Sequence, residues 1–190
     1  SYVLGGRAME LIYTDNDLNN YLTKVANISS DNPLLIEKFL DDAVELDIDV
    51  ICDGEKTLIG GVLQHIEEAG IHSGDSSCSF PPYSVGDTQL HALKKEIKEV
   101  AKKLNVVGLM NAQVAIKDDK FYMIEVNPRA SRTIPFLSKC IGNSLAKIAS
   151  KVITGKSLSD LGLDAEIMPT NYAVKALSLI HISEPTRRVL

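Results

Sequence analysis

Residues 44 to 50 read Val-Glu-Leu-Asp-Ile-Asp-Val, a strict alternation of aliphatic and acidic side chains. Successive side chains of an extended strand point to opposite faces, so the run sorts into an apolar face (Val44, Leu46, Ile48, Val50) and an acidic one (Glu45, Asp47, Asp49). A helix would scatter both kinds around its circumference. The pattern therefore predicts a half-buried strand with its acids turned toward water. Cys52-Asp53-Gly54-Glu55 supplies good turn chemistry, and Thr57 to His65 returns as a second strand, making a β-hairpin.

Other segments fill in around that hairpin. Leu18, Leu22, Val25 and Ala26 define a helix over Asp15 to Ala26, capped by Asp15 or Asn16. Thr88 to Leu104 is the clearest helix, with Leu90, Leu93, Ile97, Val100, Ala101 and Leu104 in one stripe. A last helix runs from Asn143 or Ser144 to Thr154, with Gly155 as its stop. Pro33 to Leu40, Gly108 to Ile116, Phe121 to Val126 and Asn171 to Lys175 read as strands, and Ser73 to Gly86 as an irregular loop. The class is α+β, a mainly antiparallel sheet flanked by helices.

At 190 residues the chain suits one domain, and 45% hydrophobic with 24% charged residues is an ordinary globular composition. A net charge of −5 without a basic block argues against DNA or RNA as a partner. No apolar run approaches the roughly 20 residues that span a bilayer, and no leader opens the sequence, so a cytoplasmic protein without membrane contact is expected. Cys52, Cys78 and Cys140 are widely spaced, which fits reduced thiols better than disulfides or a zinc site. Asn27-Ile28-Ser29 matches a glycosylation acceptor that such a protein leaves unused.

Chemistry concentrates at Gln113, Glu125 and Asn127, followed by Arg129 and Arg132. A carboxylate with amide oxygens, away from His and Cys, suits Mg²⁺ or Mn²⁺, and the arginines suit a phosphoryl group. Register decides whether the cluster exists. A two-residue Asp118-Asp119 loop places Gln113 opposite Ile124, whereas an odd-length loop with Lys117 opposite Phe121 places it opposite Glu125. The odd loop is the expectation. Gly5-Gly6-Arg7 forms a glycine turn whose N–H groups can approach phosphates, and Gly70-Ile71-His72-Ser73 could contact a nucleotide. Glu45 could accept from ribose hydroxyls. His72 and Ser73 lack the surroundings of a nucleophile–base pair.

Four stretches carry a resemblance: residues 1–10 (SYVLGGRAME), 39–45 (FLDDAVE), 65–76 (HIEEAGIHSGDS) and 124–132 (IEVNPRASR). Together they resemble the ATP-grasp fold, and within it the second, carbamate-phosphorylating half of carbamoyl-phosphate synthase large chains. The resemblance spans residues 1 to 176, beginning inside the domain at the glycine loop. It implies that Gly5 and Gly6 close over the triphosphate, with Lys38 and Leu40 at the adenine hinge, although the Lys38 position is often His in the family. It further implies Glu45 on the ribose and Gly70, Ile71, His72 and Ser73 along the nucleotide. Gln113, Glu125 and Asn127 would hold two Mg²⁺ or Mn²⁺ ions, and Arg129 and Arg132 would steady the phosphoryl group and the carbamate. Potassium would sit near Glu45 and the stretch from Gly70 to Ser73.

The implied activity is ATP-dependent phosphorylation of carbamate to carbamoyl phosphate, within a glutamine-dependent enzyme that has an amidotransferase small chain and serves arginine and pyrimidine biosynthesis. The alternatives are a non-catalytic nucleotide-binding piece and another ATP-grasp ligase, such as a biotin-carboxylase-like enzyme. The HSGDS and NPRASRT wording disfavours the latter. Residues 177–190 continue no family pattern and are expected to be an artefact, foreign to the domain.

Overall fold

Two tight reversals organise the sheet. The computed structural model describes residues 10–26, 34–67 and 76–176. Along them run α1 (Asp15–Ala26), β1 (Val44–Asp53), β2 (Thr57–His65), β3 (Cys78–Phe80), α2 (Asp87–Lys103), β4 (Val107–Lys117), β5 (Lys120–Asn127), α3 (Ile134–Cys140), α4 (Leu145–Ile153) and β6 (Ala173–Lys175). At the first reversal Asp53 Oδ1 accepts the backbone N–H groups of Glu55 and Lys56 at 3.0 and 2.7 Å, and Gly54 takes a φ of 96°. That Asx-type turn closes the expected β1–β2 hairpin. At the second, Asp118 and Asp119 adopt φ of 49° and 59°, the left-handed pair that a two-residue hairpin turn between β4 and β5 requires.

The chain forms two compact units, Ser1–Asp41 and Asp42–Leu190. In the first, α1 spans the expected residues, but its cap is Thr14. Asp17 donates its backbone N–H to Thr14 Oγ1 at 3.2 Å, while Thr14 donates its own N–H to Asp17 Oδ2 at 2.9 Å, a reciprocal cap. Residues 34–40 form no strand. Leu35, Ile36 and Phe39 are exposed, so the apolar run covers no core.

In the second unit the six strands lie in the order β5-β4-β1-β2-β3-β6, each pair antiparallel. One face packs Leu46, Ile48, Val50, Val62, Ala112 and Val114 against Leu93, Ile97 and Ala101 of α2. Ile51, Leu58, Leu63 and Phe80 on the other face pack against α3 and α4 through Ile134, Leu137, Leu145 and Ala149. Leu104, the last residue of the expected α2 stripe, stands exposed just past the helix end.

In this unit two expectations change. β1 is covered on both faces rather than half-buried: Asp47 and Asp49 are each only 1% exposed and Glu45 7%. Alternation alone cannot tell an acidic face in water from one folded inward. The stretch from Ser73 to Gly86 contains a strand, β3, too short for periodicity to reveal. Helix α3, which carries a Pro in its first turn, was also invisible to the pattern.

Gly61 lets α3 approach the sheet. A Cβ there would stand 2.4 Å from Leu137 Cδ2 and 3.2 Å from Phe80 Cε2, both fully buried side chains. Gly61→Ala should therefore destabilise the unit by about 1–3 kcal/mol in urea unfolding. An unchanged midpoint would mean that α3 is free to shift outward.

Candidate functional site

The α3/α4 side of the sheet is apolar at one end and polar at the other. Register places Glu45 opposite Ala115, Asp47 opposite Gln113 and Asp49 opposite Asn111, and then Gln113 opposite Glu125 and Asn111 opposite Asn127. Directly paired residues share a face, so two rows of oxygen-bearing side chains cross β1, β4 and β5.

The pairing of Gln113 with Glu125 is reached by a route the sequence did not indicate. The loop has two residues, with Lys117 opposite Lys120, which taken alone would bring Ile124 opposite Gln113. A β-bulge intervenes: Val114 pairs with Met123 and Gln113 with Glu125, so Ile124 is the extra residue. The expected odd loop is therefore wrong, while the juxtaposition that it was meant to explain is present. Gln113 and Asn127 are half-buried and Glu125 is exposed. This oxygen-only set, open to solvent on a rigid hairpin, fits a hard divalent cation that keeps positions for phosphate or water.

Arg129 and Arg132 are exposed on the loop between β5 and α3, where Arg129 Nη1 donates to the carbonyl of Ala130 at 3.0 Å. Thr133 ends that loop and is buried. Its Oγ1 donates to Asp49 Oδ2 and lies 2.6 Å from Ser131 Oγ. Asn111 Nδ2 donates to Asp49 Oδ1 at 3.1 Å and to Asp47 Oδ1 at 3.4 Å. Burial pushes the Asp49 carboxyl up to about 6, against the downward pull of hydrogen bonds from Thr133, Ser131 and Asn111.

Asp47 has a cationic partner. His65 Nε2 lies 2.9 Å from Asp47 Oδ2, and its Nδ1 faces Glu45 Oε1 at 3.8 Å. Burial alone would depress the imidazole. The bond to Asp47, a contact with Cys78 and the charge of Glu45 outweigh it and raise the pKa to about 10. Asp47, His65 and Cys78 hold ligand-type atoms within 4.8 Å of one another, all buried. With its imidazole protonated, His65 forms a buried ion pair with Asp47, and the Cys78 thiol lies beside it. All three cysteines are free thiols.

The other predicted positions divide. Gly5, Gly6, Arg7, Gly70, Ile71, His72 and Ser73 lie outside the described residues. Lys38 is exposed and Leu40 half-buried in the irregular segment of the first unit, and Glu45 is buried on β1. Sequence reasoning took Asp47 and Asp49 for solvated acids and singled out neither His65 nor Thr133. The available signal is His65, the titratable residue of β2, whose ring reaches Asp47 at 2.9 Å across the hairpin.

The chain is similar to known proteins along most of its length. Residues 1–161 match the family described as carbamoyl-phosphate synthase L chain, ATP binding domain. The chain is 54% identical over 175 residues to the carbamoyl phosphate synthase large chain of Pseudomonas putida, covering 92% of this chain and 16% of that one. It is 51% identical over 179 residues to the large chain of Vibrio vulnificus, covering 94% and 17%. The chain thus spans about a sixth of the length of these curated relatives. Among solved structures, the biotin carboxylase domain of a single-chain bacterial carboxylase matches with a TM-score of 0.72 at 15% identity, over 88% of this chain and 38% of that one. At that identity the likeness speaks for the fold alone, which is the ATP-grasp fold expected from the sequence.

Proposed function

The chain belongs to the family of carbamoyl-phosphate synthase large-chain ATP-binding domains, and from that premise we propose that it forms the nucleotide- and metal-holding part of a ligase that phosphorylates carbamate with ATP. The observation that carries this reading is the bulge-corrected pairing of Gln113 with Glu125, with Asn127 one step along the same face. A divalent ion bound there would neutralise charge on the β- and γ-phosphate oxygens. Glu125 and the amide oxygens of Gln113 and Asn127 would hold that ion, and through it the polyphosphate would be oriented. Arg129 and Arg132 stand next along the chain to offset charge on the phosphoryl group as it moves. A carbamate oxygen attacks the γ-phosphorus in line, a new P–O bond forms, the bond to the β–γ bridging oxygen breaks, and ADP leaves with that electron pair. Positioning and electrostatics account for the chain's whole contribution.

The finer assignments stay part of this proposal: ammonia supplied by a glutamine amidotransferase small chain, service to arginine and pyrimidine synthesis, and a cytoplasmic location. Potassium near Glu45 belongs with them, since its other expected ligands lie outside the described residues. Among the described residues, no helix is long and apolar enough to cross a membrane.

Because the chain spans 16% of its relatives' length, nucleotide binding without turnover is the expected behaviour of the chain alone. Calorimetry should detect weak, Mg²⁺-dependent ATP binding, while ATP synthesis from ADP and carbamoyl phosphate should be absent. Nucleotide binding that ignores Mg²⁺ would overturn the metal set, and no nucleotide binding at all would overturn the reading for this chain.

A further inference from the structure

We propose that Asp49 is a positioning residue for the arginine loop: its buried carboxylate gathers Thr133 and Asn111 and thereby latches residues 128–133 to the central strand. The proposal rests on Arg129 and Arg132 acting on the phosphoryl group, but the latch itself is a matter of geometry. Asp49 is on β1, a strand at the centre of the sheet, and 1% exposed. One of its carboxylate oxygens accepts from Thr133 Oγ1 at the end of the loop, the other from Asn111 on β4 at 3.1 Å. Asn111 in turn sits opposite Asn127, the residue from which the arginine loop departs. Both ends of the loop are therefore referred to the same carboxylate.

Thr133 occupies the N-cap position of α3, where a threonine hydroxyl ordinarily accepts a helix N–H. Here its side chain makes no cap hydrogen bond. It turns instead to Asp49 and to Ser131 Oγ, and Ser131 also accepts the backbone N–H of Thr133 at 3.3 Å. The helix thus forgoes a stabilising cap for a contact across to β1. Ser131, lying between the two arginines in sequence, shares that contact. A loop tied at Ser131 and Thr133 holds Arg129 and Arg132 at a fixed distance from Glu125, whereas an untied exposed loop would let them wander.

The test uses the chain as it is. Thr133→Val keeps shape and removes the hydroxyl, and Thr133→Ser restores it. Asp49→Asn is a harsher variant whose folding is checked by circular dichroism. Under native conditions, trypsin cleavage after Arg129 and Arg132 is timed by mass spectrometry, with cleavage after Lys151 of α4 reporting general unfolding. Loss of a hydrogen bond to a buried carboxylate should speed loop cleavage about tenfold or more in Thr133→Val. Cleavage after Lys151 should not change, and Thr133→Ser should behave as wild type. In parallel, carbamoyl phosphate is titrated against the arginine side-chain NMR resonances, and its apparent affinity should fall by a similar factor in Thr133→Val alone. Loop cleavage at the wild-type rate in Thr133→Val overturns the latch. Faster loop cleavage, in a chain whose wild-type arginines ignore carbamoyl phosphate, supports the latch and overturns the phosphoryl role of the arginines.

Discussion

Glu125→Gln should cut carbamate phosphorylation by roughly a hundredfold or more, measured in a full-length large chain carrying this segment. The change is nearly isosteric, so its effect isolates charge. Glu125 is exposed at an edge strand, where replacing a carboxylate by an amide costs the fold little. Within the Gln113, Glu125 and Asn127 set it is the carboxylate, and without it the remaining donors are neutral amides. Two amide oxygens hold a hydrated divalent cation far less well than a set with a formal negative charge. The loss should fall mainly on turnover and should ease in part as Mg²⁺ is raised. In the isolated chain the same variant should lose the Mg²⁺-dependent part of ATP binding. Near-normal turnover at saturating Mg²⁺ would reject the ligand role for Glu125, while leaving the ATP-grasp fold untouched.

How far the sequence reached is best seen at this hairpin. Both strands are legible in the sequence, and residue chemistry picks out Gln113, Glu125 and Asn127. The register needed a tertiary fact. Asp118 and Asp119 close a two-residue turn because each tolerates a positive φ, and the correction comes seven residues farther on, counted from Lys117 to Ile124, where one residue bulges out. Nothing local at Ile124 announces a bulge. Its exposed side chain is the residue that the outer strand can spare, on the edge strand of the sheet among the described residues.

The acidic face of β1 failed differently. Alternation reports which residues share a face but not what lies over it, so Asp47 and Asp49 read as solvated when each is almost wholly enclosed. Their enclosure depends on Thr133, whose sequence distance from Asp49 is 84 residues, and on His65 from the neighbouring strand. Only the folded sheet brings those groups together. Residues 34–40 are the opposite case: composition there favours a strand, but no strand forms in a segment whose Leu35 and Ile36 stay in solvent.

His65→Leu should cost about 3–5 kcal/mol of stability in urea unfolding at neutral pH, because it strands buried carboxylates without their counter-charge. Asp47 and Glu45 flank one imidazole, at 2.9 and 3.8 Å, in a region where His65 itself is 3% exposed. pH separates charge from packing. The folded-state pKa of His65, about 10, lies above the ordinary 6.5, so between these values the folded protein holds a proton that the unfolded chain has released. Its stabilising contribution is therefore complete below about pH 6.5 and drains away as pH rises toward 10. Asp49 has the same sign in a lower window. Its carboxyl, raised from 3.8 to about 6, binds a proton more readily when folded, so stability falls as pH climbs from 4 to 6 and then levels. Between pH 7 and 8.5 the His65 slope should stand alone of the two, at up to about 1.4 kcal/mol per pH unit. His65→Gln keeps a donor toward Asp47 but carries no charge. It should cost less than His65→Leu and yet remove that slope, so a His65→Gln protein with the wild-type pH dependence would show that the imidazole is neutral and the ion pair absent.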